Sequence, residues 1–390
     1  MTITRRHLAL AALAATQAPA SMAQKTAAPP PQPAYGGPLE KFSGQYQQAD
    51  LDSLDYSRRR WKEAPLTLRF NARSAKAAVA WQEKLRARVR ECLGGFPTTR
   101  ISLNARTLEV HDLPAHRREA LLFDSRPGLS MFAYLLTPKD TSKPLPVVIC
   151  LPGHGRGVDD ISGVAPDGSD RTKKVGYEYD YAVQVVEHGM AALAIEMLGF
   201  GCRRDPDARS KGAEASSCQP AAGAALLLGE TMAGWRTWDV MRACDFIGTR
   251  KELDANRIGC LGISGGGTVT LYAAALDPRI KAAFMSCSLC TFRDCILSIS
   301  HCIDNYVPGI LNWAEMGDIA GLIAPRPFFA ESGTEDPIFP LEGSREAFRN
   351  VQRVYEVFDK AELCGREEFA AGHEFHGVQG LEFLRRQLTA

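Results

Sequence analysis

The sequence has almost no net charge: 46 Lys and Arg stand against 45 Asp and Glu, a formal balance of +1. Without a basic excess to neutralise phosphates, nucleic acid is excluded as an expected partner. No apolar run approaches the roughly 20 residues of a membrane-spanning helix. No internal repeat is visible, which excludes a solenoid or propeller. With 34 Gly and 23 Pro in 390 residues, the chain is neither collagen-like nor of low complexity. The glycine-rich turn at 262–267 is not followed by Gly-Lys-Ser/Thr, and no acidic residue lies about 20 positions on as a ribose binder would. What remains is a chain that is 45% hydrophobic and long enough to bury a large core.

Residues 1–23 read as a removable leader. Thr4-Arg5-Arg6-His7-Leu8 opens it without an acid, Leu8 to Ala15 is apolar, and Ser21-Met22-Ala23 is a small-x-small cleavage site. The paired arginines point to twin-arginine export, with general secretion as the alternative. The expected location is therefore periplasmic or secreted, with no membrane association once the leader is gone. Residues 24–45, rich in Pro, Ala and Gln, read as a flexible tether.

Eleven cysteines is an odd number, so at least one thiol is free or pairs between chains. Cys202 and Cys218 flank a polar loop and are the best disulfide candidates. Cys287, Cys290, Cys295 and Cys302 beside His301 suggest zinc, but Cys287 ends an apolar strand-like run, where a buried thiol acts as a small hydrophobe. No metal is expected.

From 46 to the C-terminus the pattern is that of one domain. Ala78, Trp81, Leu85, Val89 and Leu93 recur at helical spacing, and Gly94-Gly95 stops that helix. Leu108 to Leu136 alternates weakly, as two or three antiparallel strands, and completes an N-terminal extension over 46–140. After it come continuous apolar runs at 147–151, 191–195, 258–261, 282–285 and, more weakly, 327–330. Runs apolar on both faces suit parallel strands covered by helices. Helical stretches at 179–188, 221–250, 267–275 and 342–358 separate them, so an α/β fold with a mostly parallel sheet is expected.

Gly262-Ile263-Ser264-Gly265-Gly266-Gly267 sits between the strand 258–261 and the helix that follows. A serine on such a tight strand-to-helix turn has its hydroxyl raised above the sheet edge, and small neighbours let the backbone turn. The helix N-terminus behind it favours developing negative charge. Ser264 is the candidate nucleophile. It needs a base, and the base an orienting acid. Only His301, His373 and His376 lie after it. His373, directly after a glycine on the loop before the last helix, is preferred to His376. Asp336, on the loop after Phe328-Phe329-Ala330, is the preferred acid, with Glu335 next and Glu331 read as strand end. An oxyanion hole needs two backbone N–H donors, for which Gly265 and His154 are chosen, with Gly155 as alternative to His154.

These residues together resemble the dienelactone-hydrolase and acetyl-xylan-esterase-like branch of the α/β-hydrolase superfamily. The resemblance runs from about Trp81 to the C-terminus. It rests on Gly153-His154-Gly155-Arg156-Gly157, Trp238-Asp239-Val240-Met241-Arg242, Arg257-Ile258-Gly259, the 262–267 turn, Ala324-Pro325-Arg326-Pro327, Gly333 to Pro340 and Gly372-His373-Glu374-Phe375. It implies a serine hydrolase of carboxylic esters with Ser264, Asp336 and His373 as triad and no cofactor. Its expected substrates are small-molecule or oligosaccharide esters, acetylated polysaccharide fragments among them. Many members place His-Gly where this chain has Pro152-Gly153, and the nucleophile is serine where true dienelactone hydrolases have cysteine, so that substrate is not implied.

The segment 288–316 breaks the strand–helix rhythm and is expected to cover the pocket, with Phe292, Tyr306 and Trp313 as its lining. Core packing accounts for these three equally well. Asp239 and Arg242, three apart on one helix, are expected to pair as structural support. A prolyl-oligopeptidase-like peptidase is a second enzymatic reading, but the roughly 120 residues before the sheet leave no room for its propeller. A binding protein on a hydrolase fold has no need of three correctly ordered catalytic groups.

Overall fold

The computed structural model describes residues 37–42, 44–47, 50–139, 141 and 143–389. The expected leader and most of the expected tether lie outside them. The chain divides into two compact units, Met1–Asp52 and Ser53–Ala390. In the first, the described part holds a short 3-10 helix, Gly37–Phe42, with no buried residue. Among the described residues no helix is long and apolar enough to cross a membrane.

The second unit is built on nine strands: β1 (Arg106–Asp112), β2 (His116–Arg126), β3 (Leu129–Pro138), β4 (Leu145–Leu151), β5 (Ala191–Ile195), β6 (Leu253–Ile263), β7 (Ile280–Ser286), β8 (Phe328–Gly333) and β9 (Cys364–Phe369). They form one sheet in the order β1-β2-β3-β5-β4-β6-β7-β8-β9. The β1–β2, β2–β3 and β3–β5 pairs are antiparallel; every pair from β5–β4 to β8–β9 is parallel. β1 is exposed along its whole length, as an edge strand is, whereas β4 is buried at every position. Along β4, Val147, Ile149 and Leu151 join one hydrophobic cluster and Val148 and Cys150 the other, so the period of two drives side chains into cores on opposite faces. The helices Ala75–Cys92, Met232–Ile247, Gly265–Leu276 and Leu341–Val357 contribute to the first cluster, and Tyr181–Glu187 and Val378–Thr389 to the second.

The expected single helix over 221–250 is two, Cys218–Leu227 and Met232–Ile247. Gly229 takes φ +73° and ends the first, and the Thr231 side chain accepts from the Gly234 N–H to cap the second. The last strand, expected near Phe369-Ala370-Ala371, ends at Phe369. Asp239 does not pair with Arg242. Arg203 reaches Asp239 at 2.7 Å, and Arg242 turns to Asp245 at 2.6 Å and to the carbonyl of Ile101. These buried groups brace the helix against its neighbours.

Candidate active site

All the residues singled out for chemistry lie beyond the C-terminal ends of parallel strands, where the loops of an α/β sheet gather. Ser264 links β6 to the helix Gly265–Leu276 with φ +55° and ψ −124°, a conformation costing a non-glycine residue on the order of 1–3 kcal/mol. The glycines around it make the turn feasible. A Cβ on Gly262 would lie 2.4 Å from the backbone of Gly266, and one on Gly266 only 1.9 Å from the Leu151 carbonyl oxygen.

His373 Nδ1 lies 2.8 Å from Asp336 Oδ2. A carboxylate only accepts, so Nδ1 carries the proton and Nε2 is left with a lone pair. The other oxygen, Oδ1, accepts from the N–H groups of Ile338 at 2.8 Å and Phe339 at 3.0 Å, which fixes the buried carboxylate. The His373 ring is stacked between Tyr177 and Phe339, each with its centroid 5.7 Å away. Glu335, the alternative acid, is exposed. Glu331 is fully buried and holds the loop after β9: its carboxylate accepts from Ser286 Oγ at 2.6 Å and from the N–H groups of His376 and Gly377. Burial pushes its pKa up to about 7. His376 turns away, stacked on Phe369 with Nε2 3.4 Å from Glu367.

Ser264 and His373 line one cavity of about 300 Å³ with His154, Tyr177, Ile299, Ser300, His301, Cys302 and Ile338. The segment 288–316 does contribute to this wall, but through 299–302. Phe292 and Tyr306 line a separate apolar cavity of about 150 Å³. Trp313 packs under Arg88, whose guanidinium is 4.6 Å from its ring centroid, beside the chain 66–68 that bonds to the backbone of 311–313. A neighbouring hollow of about 520 Å³ shares His154 and Tyr177 and is walled by Arg156, Asp160, Arg171, Glu178 and Glu214.

The loop after β4 presents its amides unequally. Gly153 N–H donates to the buried Glu178 carboxyl at 2.5 Å, and Arg156 N–H to Asp160 at 2.7 Å. Among the described residues, the N–H groups of His154 and Gly155 have no partner. Gly265 opens its helix, so its N–H has no intrahelical acceptor either. The Tyr177 hydroxyl donates to the His154 carbonyl at 2.8 Å, and Phe375 N–H donates to the Tyr177 carbonyl at 2.7 Å. Tyr177 thus joins the loop of His154 to the loop of His373. No motif marks it; its role comes from contacts made 196 positions along the chain.

Every cysteine is a free thiol, Cys202 exposed and Cys218 buried, so the expected Cys202–Cys218 bridge is absent. Cys218 instead belongs to a group with His154, Cys302 and Asp304. The Cys287 thiol, raised by burial and by Asp336, donates to the Glu374 carbonyl at 3.3 Å and helps hold the histidine loop.

Residues 61–368 match the model of the Abhydrolase family. The protein named as hydrolase YtaP of Bacillus subtilis (strain 168) is 29% identical over 302 residues, covering 76% of this chain and 96% of that protein. A structure from Bacteroides fragilis NCTC 9343, described as an acetyl xylan esterase, superposes with TM-score 0.71 at 20% identity, covering 87% and 90% of the two chains. A glucuronoyl esterase from Solibacter usitatus gives 0.61 at 18%, covering 80% and 94%. The mostly parallel sheet flanked by helices is the α/β-hydrolase fold these structures share.

Proposed function

The chain belongs to the Abhydrolase family, and from that premise we propose that it is a serine hydrolase of carboxylic esters, acting on acylated carbohydrates through an acyl-enzyme. The observation that carries the reading is the 2.8 Å contact of His373 Nδ1 with Asp336, in a histidine that lines the same cavity as Ser264. In this mechanism His373 Nε2 takes the Ser264 hydroxyl proton as Oγ attacks the ester carbonyl carbon. Asp336 fixes the imidazole tautomer and stabilises its charged form. The carbonyl oxygen, now negative, accepts from the N–H groups of Gly265 and His154. Losing one such donor costs about 2.7–4 kcal/mol of barrier. Collapse expels the alcohol, which takes the proton from His373. Water then repeats the sequence and frees the acid.

A carbohydrate as the alcohol component is favoured by the adjoining cavities of about 300 and 520 Å³, the second lined by charged groups suited to hydroxyls. The structural neighbours described as acetyl xylan and glucuronoyl esterases favour the same class. We also read the protein as exported, on the strength of the Arg5-Arg6 leader.

The test is covalent labelling combined with substitution. A fluorophosphonate is expected to label Ser264 alone, and Ser264→Ala to lose ester turnover while keeping its circular dichroism. Labelling elsewhere, or a fully active alanine variant, overturns the assignment. A series of p-nitrophenyl esters beside acetylated xylan, with a peptide amide as control, then ranks acyl length and separates esterase from peptidase.

A further inference from the structure

Four potential ligands of three chemical kinds converge behind the loop of His154, from segments far apart in the sequence. His154 Nε2 is 3.5 Å from Asp304 Oδ2 and 3.7 Å from Cys218 Sγ, and Cys218 Sγ is 3.3 Å from Asp304 Oδ2. Cys302 Sγ completes the group, with all four atoms within 4.8 Å of one another. A tetrahedral zinc site has bonds of about 2.0–2.3 Å, which place its ligand atoms roughly 3.3–3.8 Å apart. The three measured edges fall in that range.

We propose that His154, Cys218, Cys302 and Asp304 bind a single Zn²⁺ ion as a closed, structural site.

Buried neighbours hold two of these ligand atoms in place. Arg236, fully buried, donates to Asp304 Oδ2, to Cys218 Sγ at 3.4 Å and to the Leu198 carbonyl at 2.6 Å. Asn305 donates to the other Asp304 oxygen at 2.8 Å. Two thiolates, one carboxylate, one guanidinium and one Zn²⁺ sum to zero charge, the condition under which buried ions are tolerated. The His154 ring is set by edge contact with Phe200 at 4.6 Å, and Phe200 in turn lies under Arg236. Cys302 and His154 also line the 300 Å³ cavity, which gives the ion a way in.

Four protein ligands leave no open position, so the ion would activate no water. It would instead tie the covering segment, through Cys302 and Asp304, to the loop of His154 and to the helix Cys218–Leu227. The inference stands on these contacts alone and does not depend on the esterase reading.

Co²⁺ reports such a site directly. The full-length chain, reduced with a thiol-free reductant, is expected to take up one equivalent of Co²⁺ with a thiolate-to-cobalt charge-transfer band and tetrahedral d–d bands, which one equivalent of Zn²⁺ abolishes. Cys218→Ser and Cys302→Ser should each weaken binding about a hundredfold or more, and Cys202→Ser should leave it unchanged. A readout on the unsubstituted protein guards against variants that fail to fold: bound Zn²⁺ should protect Cys218 and Cys302, but not Cys202, from alkylation. No charge-transfer band, a band that survives both serine substitutions, unprotected thiols, or a Cys218–Cys302 disulfide resistant to reduction in the folded protein would each overturn the proposal.

Discussion

The ring of Tyr177 lies on that of His373, centroids 5.7 Å apart and planes 24° from parallel. The same side chain donates its hydroxyl to the His154 carbonyl, so one residue touches the candidate base and the candidate oxyanion loop together. Phe in its place keeps the stacking and loses the hydrogen bond, whose net worth is about 1 kcal/mol. Tyr177→Phe is therefore expected to lower kcat about fivefold with KM nearly unchanged, and Tyr177→Ala to cost at least ten times more. Steady-state kinetics on a p-nitrophenyl ester separates the two. Equal losses would make the ring a wall of the cavity and nothing else.

His373 and His376 are three residues apart and differ in every contact. His373 has Asp336 and two flanking rings; His376 has Glu367 and Phe369 on the far side of its loop. His373→Ala should reduce kcat by several orders of magnitude. His376→Ala should stay within about tenfold, since its main-chain N–H still donates to Glu331. Reversed losses would show the base to be misassigned.

The readable part of this molecule is the part with a regular apolar pattern. Val147 to Leu151 and Ala191 to Ile195 are apolar at every position because the sheet is covered on both faces, and the sequence shows that as unbroken runs. The turn at Ser264 was readable for a different reason: only small residues fit where a Cβ would meet backbone at 2.4 Å or less. The wall of the cavity obeys neither rule. Ile299, Ser300, His301 and Cys302 follow no period, whereas the more conspicuous Phe292, Tyr306 and Trp313 pack elsewhere. Aromatic identity does not mark which cavity a side chain faces, nor how deeply it is buried: Phe292 is buried and Tyr306 is exposed. The break at Gly229 was hidden by apolar residues on both sides of it, Leu227 among them although it is almost fully exposed.

Glu331 makes stability depend on pH. Its pKa is raised in the fold from an ordinary 4.5 to about 7, so between those values the native state holds a proton that the unfolded chain has released. The group's contribution is complete below about 4.5 and is lost as pH rises through about 7, on the order of 3 kcal/mol. Glu331→Gln removes the titration. Its amide meets the Gly377 N–H poorly, but that cost does not vary with pH. Urea unfolding at pH 5 and pH 7.5 should therefore show wild type losing more stability than the variant across this interval. Parallel losses would mean that Glu331 stays ionised in the fold.

Gly153 offers a test of how closely the two loops are fitted. A Cβ there would lie 2.2 Å from the Tyr177 hydroxyl oxygen and 3.2 Å from Ser264 Cβ. Gly153→Ala must then displace the tyrosine, and with it the hydrogen bond to His154 and the stacking on His373. Small misplacements at a reacting centre cost about a hundredfold in rate, and kcat should fall by about that factor. The closest obstacle is a single oxygen atom, so deleting that atom should relieve part of the damage. In a Tyr177→Phe background the added methyl meets the ring carbon at 3.2 Å instead, a contact that a shift of a few tenths of an ångström accommodates. A double-mutant cycle on kcat/KM should give a combined loss smaller than the product of the two single losses, with a coupling of about 1 kcal/mol or more. Multiplicative losses would mean that the methyl acts by crowding Ser264 directly, with Tyr177 free to move aside.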